Sequence, residues 1–186
     1  MNELHYFLAL PLSDDIQSAI CSHTRRFVHE ERFKKWVHPA DYHLTYHFFG
    51  SLQAKKWAET EKELARLTAT FTPFVLQFGE YGTFGKEDSP RIFYMKPDPI
   101  EDTLVQQHAQ VVSLLAQLGY PVDSRPFSPH VTIARKWVHR KPYVQPPSRF
   151  HYSEKVERLC LYKTVTGQTP KYEEVCSFPF LGREEQ

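Results

Sequence analysis

Apolar positions along the chain follow two different periods. Three segments carry the 3.6-residue period of an amphipathic helix. Asp14 to about Phe27 sets Ile16, Ala19, Ile20 and Phe27 on one face. Ser13 stands at the N-cap, and Asp14 and Asp15 complement the helix dipole in the first turn. Ala54 to Leu67 gathers Trp57, Leu64 and Leu67 on one side of a charged helix. The third has the longest stripe: Leu104, Val105, His108, Val111, Val112, Leu115 and Leu118, with Gly119 as the stop. Ahead of it, Asp98-Pro99-Ile100-Glu101 predicts an N-cap at Asp98, Pro99 at N1 and Glu101 at N3.

Between the helices lie runs rich in aromatic and β-branched residues, which predict strands at 4–10, 43–49, 74–81, 91–96, 130–136, 156–164 and 171–178. The order β-α-β-α-β-β-α-β-β-β, with short hairpin-like links, predicts an α+β fold with mainly antiparallel sheet. The Pro- and Ser-rich stretches 121–129 and 142–148 are short and are expected to be loops rather than linkers. The segment 85–91, GKEDSPR, is expected to be a hairpin loop.

Composition narrows the function classes. The 186 residues suffice for one domain, or two small lobes sharing a core. With 41% hydrophobic and 24% charged residues, the chain is an ordinary globular sequence. A net charge of +1 argues against a surface that coats nucleic acid or anionic membrane, but leaves room for a local basic cleft. Cys21, Cys160 and Cys176 are odd in number and show no CxxC spacing, which points to a reducing compartment and gives no zinc motif. The N-terminus lacks the marks of a signal peptide, and no run reaches the ~18 apolar residues of a membrane span, so a cytoplasmic location is expected.

The candidate chemistry lies in a repeat. Residues 43–50 read HLTYHFFG and residues 130–135 read HVTIAR: His, aliphatic, Thr, apolar, each on a predicted strand. Alternation sends His43 and Thr45 to one face and Leu44 and Tyr46 to the other, and it treats His130 and Thr132 against Val131 and Ile133 in the same way. If the two strands lie side by side, four polar groups meet in one cleft. Two imidazoles with pKa near ~6.5 can hold one proton between them at neutral pH, the requirement for concerted acid–base catalysis. Two Thr hydroxyls can bond non-bridging phosphate oxygens. With no thiol, carboxylate pair or metal-ligand spacing, the constellation suits phosphoester chemistry without metal or cofactor.

These residues resemble the two-histidine (2H) phosphoesterase superfamily, marked by paired His-x-Thr/Ser motifs, and within it the RNA 2′,3′-cyclic phosphodiesterases, also called 2′-5′ RNA ligases. The resemblance runs through HYFLALPLSDDIQSAI, VHPADYHLTYHFFG, RIFYMKPDP, RPFSPHVTIAR and LYKTVTGQTPKYEEV, nearly the whole chain. It implies one domain over 1–186 made of two interleaved lobes, with two mainly antiparallel sheets related by a pseudo-twofold axis about a central cleft and helices outside. It implies hydrolysis of an RNA or nucleotide 2′,3′-cyclic phosphate to a 2′-phosphomonoester. His43 then matches the proton donor and His130 the proton acceptor, Thr45 and Thr132 match the phosphate-binding positions, and Arg135 matches a substrate-binding arginine. Simple alternation would turn Arg135 away from His130, so that role needs a bend in the strand. His47 departs from the relatives, and alternation places it on the face of His43. A monomer with no obligatory protein partner is expected.

Two other readings stand beside this one. The same dyad can serve another cyclic phosphate, or run in reverse as an ATP-independent 2′-5′ ligase. A catalytically weak RNA-binding module would rest on RKWVHRK at 135–141, with Trp137 as a base-stacking ring. Phe7, Phe48, Phe49, Phe74, Phe78, Phe93 and Tyr94 are expected mostly in the core.

Overall fold

The computed structural model describes residues 4–27, 29, 32–147 and 151–183, with the Phe27 side chain excepted. Its elements are β1 (Tyr6–Pro11), α1 (Asp14–Phe27), β2 (Phe33–Trp36), β3 (His43–Gly50), α2 (Ala54–Thr68), β4 (Phe74–Gly85), β5 (Pro90–Pro97), α3 (Asp102–Gln117), β6 (Val131–Trp137), β7 (Tyr152–Val156), β8 (Arg158–Thr164) and β9 (Tyr172–Pro179). All three predicted helices and all seven predicted strands are present. The expected core role of Phe27, like the end of the 142–148 loop at Ser148, lies outside what is described.

Every strand pairing is antiparallel, in the order β7-β4-β5-β6-β3-β1-β8-β9, with β2 added alongside β6. The two motif strands, β3 and β6, are therefore neighbours at the middle of the sheet. The two sheets that the resemblance implies are not seen as separate: the described residues form one continuous nine-stranded sheet. Its seam is narrow, because β3 and β6 share the single pair Leu44↔Val131. Either side of that seam the ladders are long, β1–β3 on one side and β5–β6 on the other.

The core forms where the apolar faces of strands and helices meet. Leu8, Leu10, Leu44, Phe93, Met95, Val131 and Ile133 are buried from the sheet; Ile16, Ile20, Leu64, Leu104, Val111 and Leu115 are buried from the helices. Ser13 caps α1 as expected: its hydroxyl accepts from the Ile16 N–H at 3.5 Å and donates to the Glu154 carboxylate at 2.6 Å. Gly119, at φ 73°, ends α3 with the Tyr120 N–H reaching back to the Leu115 carbonyl.

Three sequence expectations need correction. The N-cap of α3 is Glu101, not Asp98, because the Asp98 N–H still bonds the Gln77 carbonyl at 2.8 Å and the sheet holds the chain three residues longer. Val105, placed on the apolar stripe, is 43% exposed, and Gln107 takes the inward position, donating to the Thr72 carbonyl. The strands β2 and β7 were not anticipated. β2 is four residues long with two exposed lysines, a charged edge of the kind that resists further pairing. β7 reads YSEKV, whose polar residues hid its pairing with β4.

Candidate active site

Each motif histidine is held by the turn before it. The His43 Nδ1 lies 2.7 Å from the Asp41 carbonyl oxygen, and the His130 Nδ1 lies 2.7 Å from the Ser128 carbonyl oxygen. A carbonyl can only accept, so both Nδ1 atoms carry the hydrogen. The Nε2 of each ring is then left as the atom that accepts a proton when neutral and donates one when charged. The same two-residue reach from ring to backbone in both copies gives the repeat a structural meaning that its letters alone do not carry.

The sheet brings the four predicted groups to one face. Leu44 and Val131 are paired across the seam and fully buried. Their sequence neighbours His43, Thr45, His130 and Thr132 are half-buried on the other face. Aromatic rings wall the two imidazoles. Phe7 lies 4.8 Å and Tyr172 5.1 Å from His43, centroid to centroid. Phe84 and Tyr94 lie 5.0 and 5.2 Å from His130. Phe84 stands at the root of the 85–91 hairpin, which therefore borders the cleft. A cavity of about 200 Å³ opens beside His43 and is lined by Asp41, Arg158, Tyr162, Tyr172 and Glu174 among others.

Two β-bulges reshape the strands just past the motifs. In the β1–β3 ladder, Leu8 pairs with His47 and Ala9 with Thr45, so Tyr46 is an extra residue. In the β5–β6 ladder, Phe93 pairs with Ala134 and Tyr94 with Thr132, so Ile133 is extra. Each bulge shifts the alternation by one. Tyr46 and His47 are both buried, as are Ile133 and Ala134, and the next residues, Phe48 and Arg135, swing onto the cleft face.

These bulges decide three roles. His47 does not share the face of His43, as alternation had suggested. It is 7% exposed, packs against Phe49 at 4.7 Å, and leaves its Nε2 without a partner among the described residues. Arg135 acquires the bend that its assignment needed, and its positive charge acts on both His43 and His130. Phe48, expected in the core, is 59% exposed beside His5, with ring centroids 5.8 Å apart. Trp137, in contrast, is committed to packing. It meets Phe33 at 5.0 Å and Tyr143 at 5.3 Å, and its indole N–H donates to the Lys141 carbonyl. These contacts engage the ring on which the RNA-binding-module reading relied.

Burial dominates the electrostatics. It pushes His43 down to about 4, with Lys171 and Arg135 adding to the effect and the Asp41 carbonyl and carboxylate opposing it. Burial also lowers His130, assisted by Arg135 and opposed by its bond to Ser128. Both rings are neutral at pH 7, and an anion bound between them would raise both. Among the described residues no group of three or more His, Cys, Asp or Glu side chains is placed to hold a metal ion, and no helix is long and apolar enough to cross a membrane.

A mainly antiparallel α+β fold with paired His-Thr strands meeting at its centre defines a class, and comparison with known proteins places the chain in it. The fold matches the crystal structure of E. coli LigT complexed with 3′-AMP, with a TM-score of 0.80 at 23% identity, covering 95% of this chain and 97% of that one. Residues 13–167 match the model of the 2′-5′ RNA ligase superfamily, and the chain belongs to that family. It is 36% identical to a Geobacillus stearothermophilus protein named RNA 2′,3′-cyclic phosphodiesterase, over 98% of this chain but 59% of that protein's length. It is 33% identical to a Bacillus subtilis protein of the same name, over 94% of this chain and 95% of the relative.

Proposed function

We propose that the chain is an RNA 2′,3′-cyclic phosphodiesterase in which His43 and His130 act as the acid and base. The observation that carries this reading is the pair of Nδ1-locked imidazoles on strands joined at Leu44↔Val131. A water oxygen attacks the phosphorus while the His130 Nε2 takes its proton. The bond from phosphorus to the ribose 3′-oxygen breaks, and the His43 Nε2–H gives its proton to that oxygen. The product is the 2′-phosphomonoester, and proton exchange with solvent restores the starting state.

Thr45 and Thr132 donate to the non-bridging oxygens, and the Arg135 guanidinium stabilises the charge that builds on them. Such preorganised donors are worth about 2.7–4 kcal/mol each when removed from comparable sites. These groups supply the electrostatics, so the scheme gives a metal ion no role. The cyclic phosphate monoanion itself raises the pKa of both imidazoles on binding, so the charged form of His43 is populated in the complex rather than in the free enzyme. Phe48, exposed on the same face, offers its ring to the base of the terminal nucleotide, a contact tolerant of sequence. The two halves of the sheet, joined by one residue pair, act as two lobes around the phosphate.

Incubation with 2′,3′-cyclic AMP, with and without EDTA, tests the proposal. The expected outcome is 2′-AMP at equal rates in both samples. A 3′-phosphate product, or loss of turnover with EDTA, would contradict it.

A further inference from the structure

The two motif histidines have matching backbone locks, but only one has a carboxylate behind it. Asp41 is 5% exposed. Its carboxylate oxygens accept from the Lys171 N–H at 3.0 and 3.1 Å and from the Tyr172 N–H at 3.0 Å. Its carbonyl accepts from the His43 Nδ1–H. One residue therefore binds the catalytic imidazole with its main chain and the start of β9 with its side chain. The Tyr172 ring, anchored in this way, meets His43 edge-on and also meets Phe7 edge-on at 4.8 Å. On the other motif, Ser128 supplies the carbonyl alone and is exposed.

We propose that Asp41 is a positioning residue for His43: it fixes the ring's tautomer, ties β9 to it, and sets its negative charge beside the imidazole that must carry the proton. The proposal rests on the reading of His43 as a reacting group. It also gives a physical reason why two pseudo-equivalent histidines take unequal parts. The groups around His43 are Tyr162 from β8, Lys171 just before β9, Tyr172 at its start, and Arg135 from β6. Lys171 and Arg135 both oppose a positive imidazole, and Asp41 favours it. Across the adjoining cavity, Arg158 and Glu174 bond each other at 2.9 Å. An Asn at position 41 keeps the size of the side chain and its oxygen, but its amide donor faces two backbone donors and its charge is gone.

The test compares wild type with Asp41→Asn, and with Asp123→Asn as a surface-carboxylate control. The first readout is the pH profile of kcat/KM on 2′,3′-cyclic AMP, and the second is the nitrogen-15 spectrum of the histidine rings. In Asp41→Asn the acid limb moves to lower pH and the plateau falls about tenfold for each unit lost by His43. KM moves little, and the His43 ring titrates at lower pH in the spectrum while His130 keeps its own midpoint; the neutral His43 ring stays in the Nδ1–H form, because the main-chain carbonyl of residue 41 is retained. The control leaves both readouts in place. A folded Asp41→Asn protein with a wild-type profile, or with the His43 ring titrating where it does in the wild type, overturns the proposal. So does a lower Tm with both readouts unmoved, because that is a purely structural role. If the wild-type protein turns over no cyclic phosphate, the functional reading fails, while the ring spectra still decide whether Asp41 holds His43.

Discussion

Gly82→Ala separates the packing around His130 from the fold that carries it. Gly82 faces Tyr94 across the β4–β5 ladder. A methyl group there would stand 2.4 Å from Tyr94 Cε2 and Cζ, well inside van der Waals contact. The obstructed atoms are the far end of a side chain, so the ring can swing aside and the backbone need not move. Stability should fall by about 1 kcal/mol, the low end of the 1–3 kcal/mol typical of overpacking. For a chain of this size that is a Tm loss of about 2–4 °C. The larger effect is on catalysis, because Tyr94 touches both His130, at 5.2 Å, and Phe84, at 4.4 Å. A displacement of His130 by about 1 Å can cost up to about 10² in rate. The assay is a double-mutant cycle: kcat and Tm for Gly82→Ala, Tyr94→Leu and the pair, on 2′,3′-cyclic AMP. Gly82→Ala should lower kcat at least about tenfold in the wild-type background and have little further effect once Tyr94 is Leu. An equal loss in both backgrounds, or an unchanged kcat with the expected Tm, would refute the argument that Tyr94 positions His130.

Two further outcomes follow from the bulges and the burial. Arg135→Ala should cut kcat/KM by about 10–150-fold, the worth of a charge-assisted hydrogen bond of ~1.5–3 kcal/mol, and its pH profile should shift upward because the guanidinium depresses both imidazoles. His47→Leu should stabilise the fold near neutral pH, since it removes a buried ring nitrogen with no partner among the described residues. It should also flatten the acid limb of stability. Burial lowers His47 in the native state, with His108 adding to it, so below pH ~6.5 the unfolded chain binds more protons and stability is lost as the pH drops. Thermal melts of His47→Leu and wild type between pH 5 and 8, a range chosen to span that midpoint, check both points.

How far the sequence reveals this molecule depends on the range of the interaction involved. The helices show in their own periodicity: Ser13 caps α1, and Gly119 stops α3. The motif strands show because Leu44 and Val131 must point inward, which turns His43, Thr45, His130 and Thr132 outward. The bulges do not show, because an extra residue at Tyr46 or Ile133 is defined by the partner strand's register and not by the local string. That is why His47 and Phe48 exchange their expected faces and why Arg135 reaches the cleft. Asp41 stayed hidden for the same reason. Its carboxylate bonds backbone some 130 residues away, and no spacing rule connects the two positions. The false start at Asp98 is local: Pro99 and Glu101 imitate a helix entry, but the sheet still holds Asp98 through the Gln77 carbonyl.

The division of labour between the two histidines is the central claim, and leaving-group dependence tests it most directly. His43→Ala and His130→Ala are each measured on 2′,3′-cyclic AMP and on a phosphodiester that expels p-nitrophenolate, a leaving group that needs no proton. On the cyclic nucleotide each substitution should cost at least about 10² in turnover. On the activated ester His43→Ala should recover most of that loss, and His130→Ala should not. Recovery in His130→Ala instead would reverse the acid and base. Near-wild-type turnover of the cyclic nucleotide in either variant would contradict the two-histidine mechanism itself.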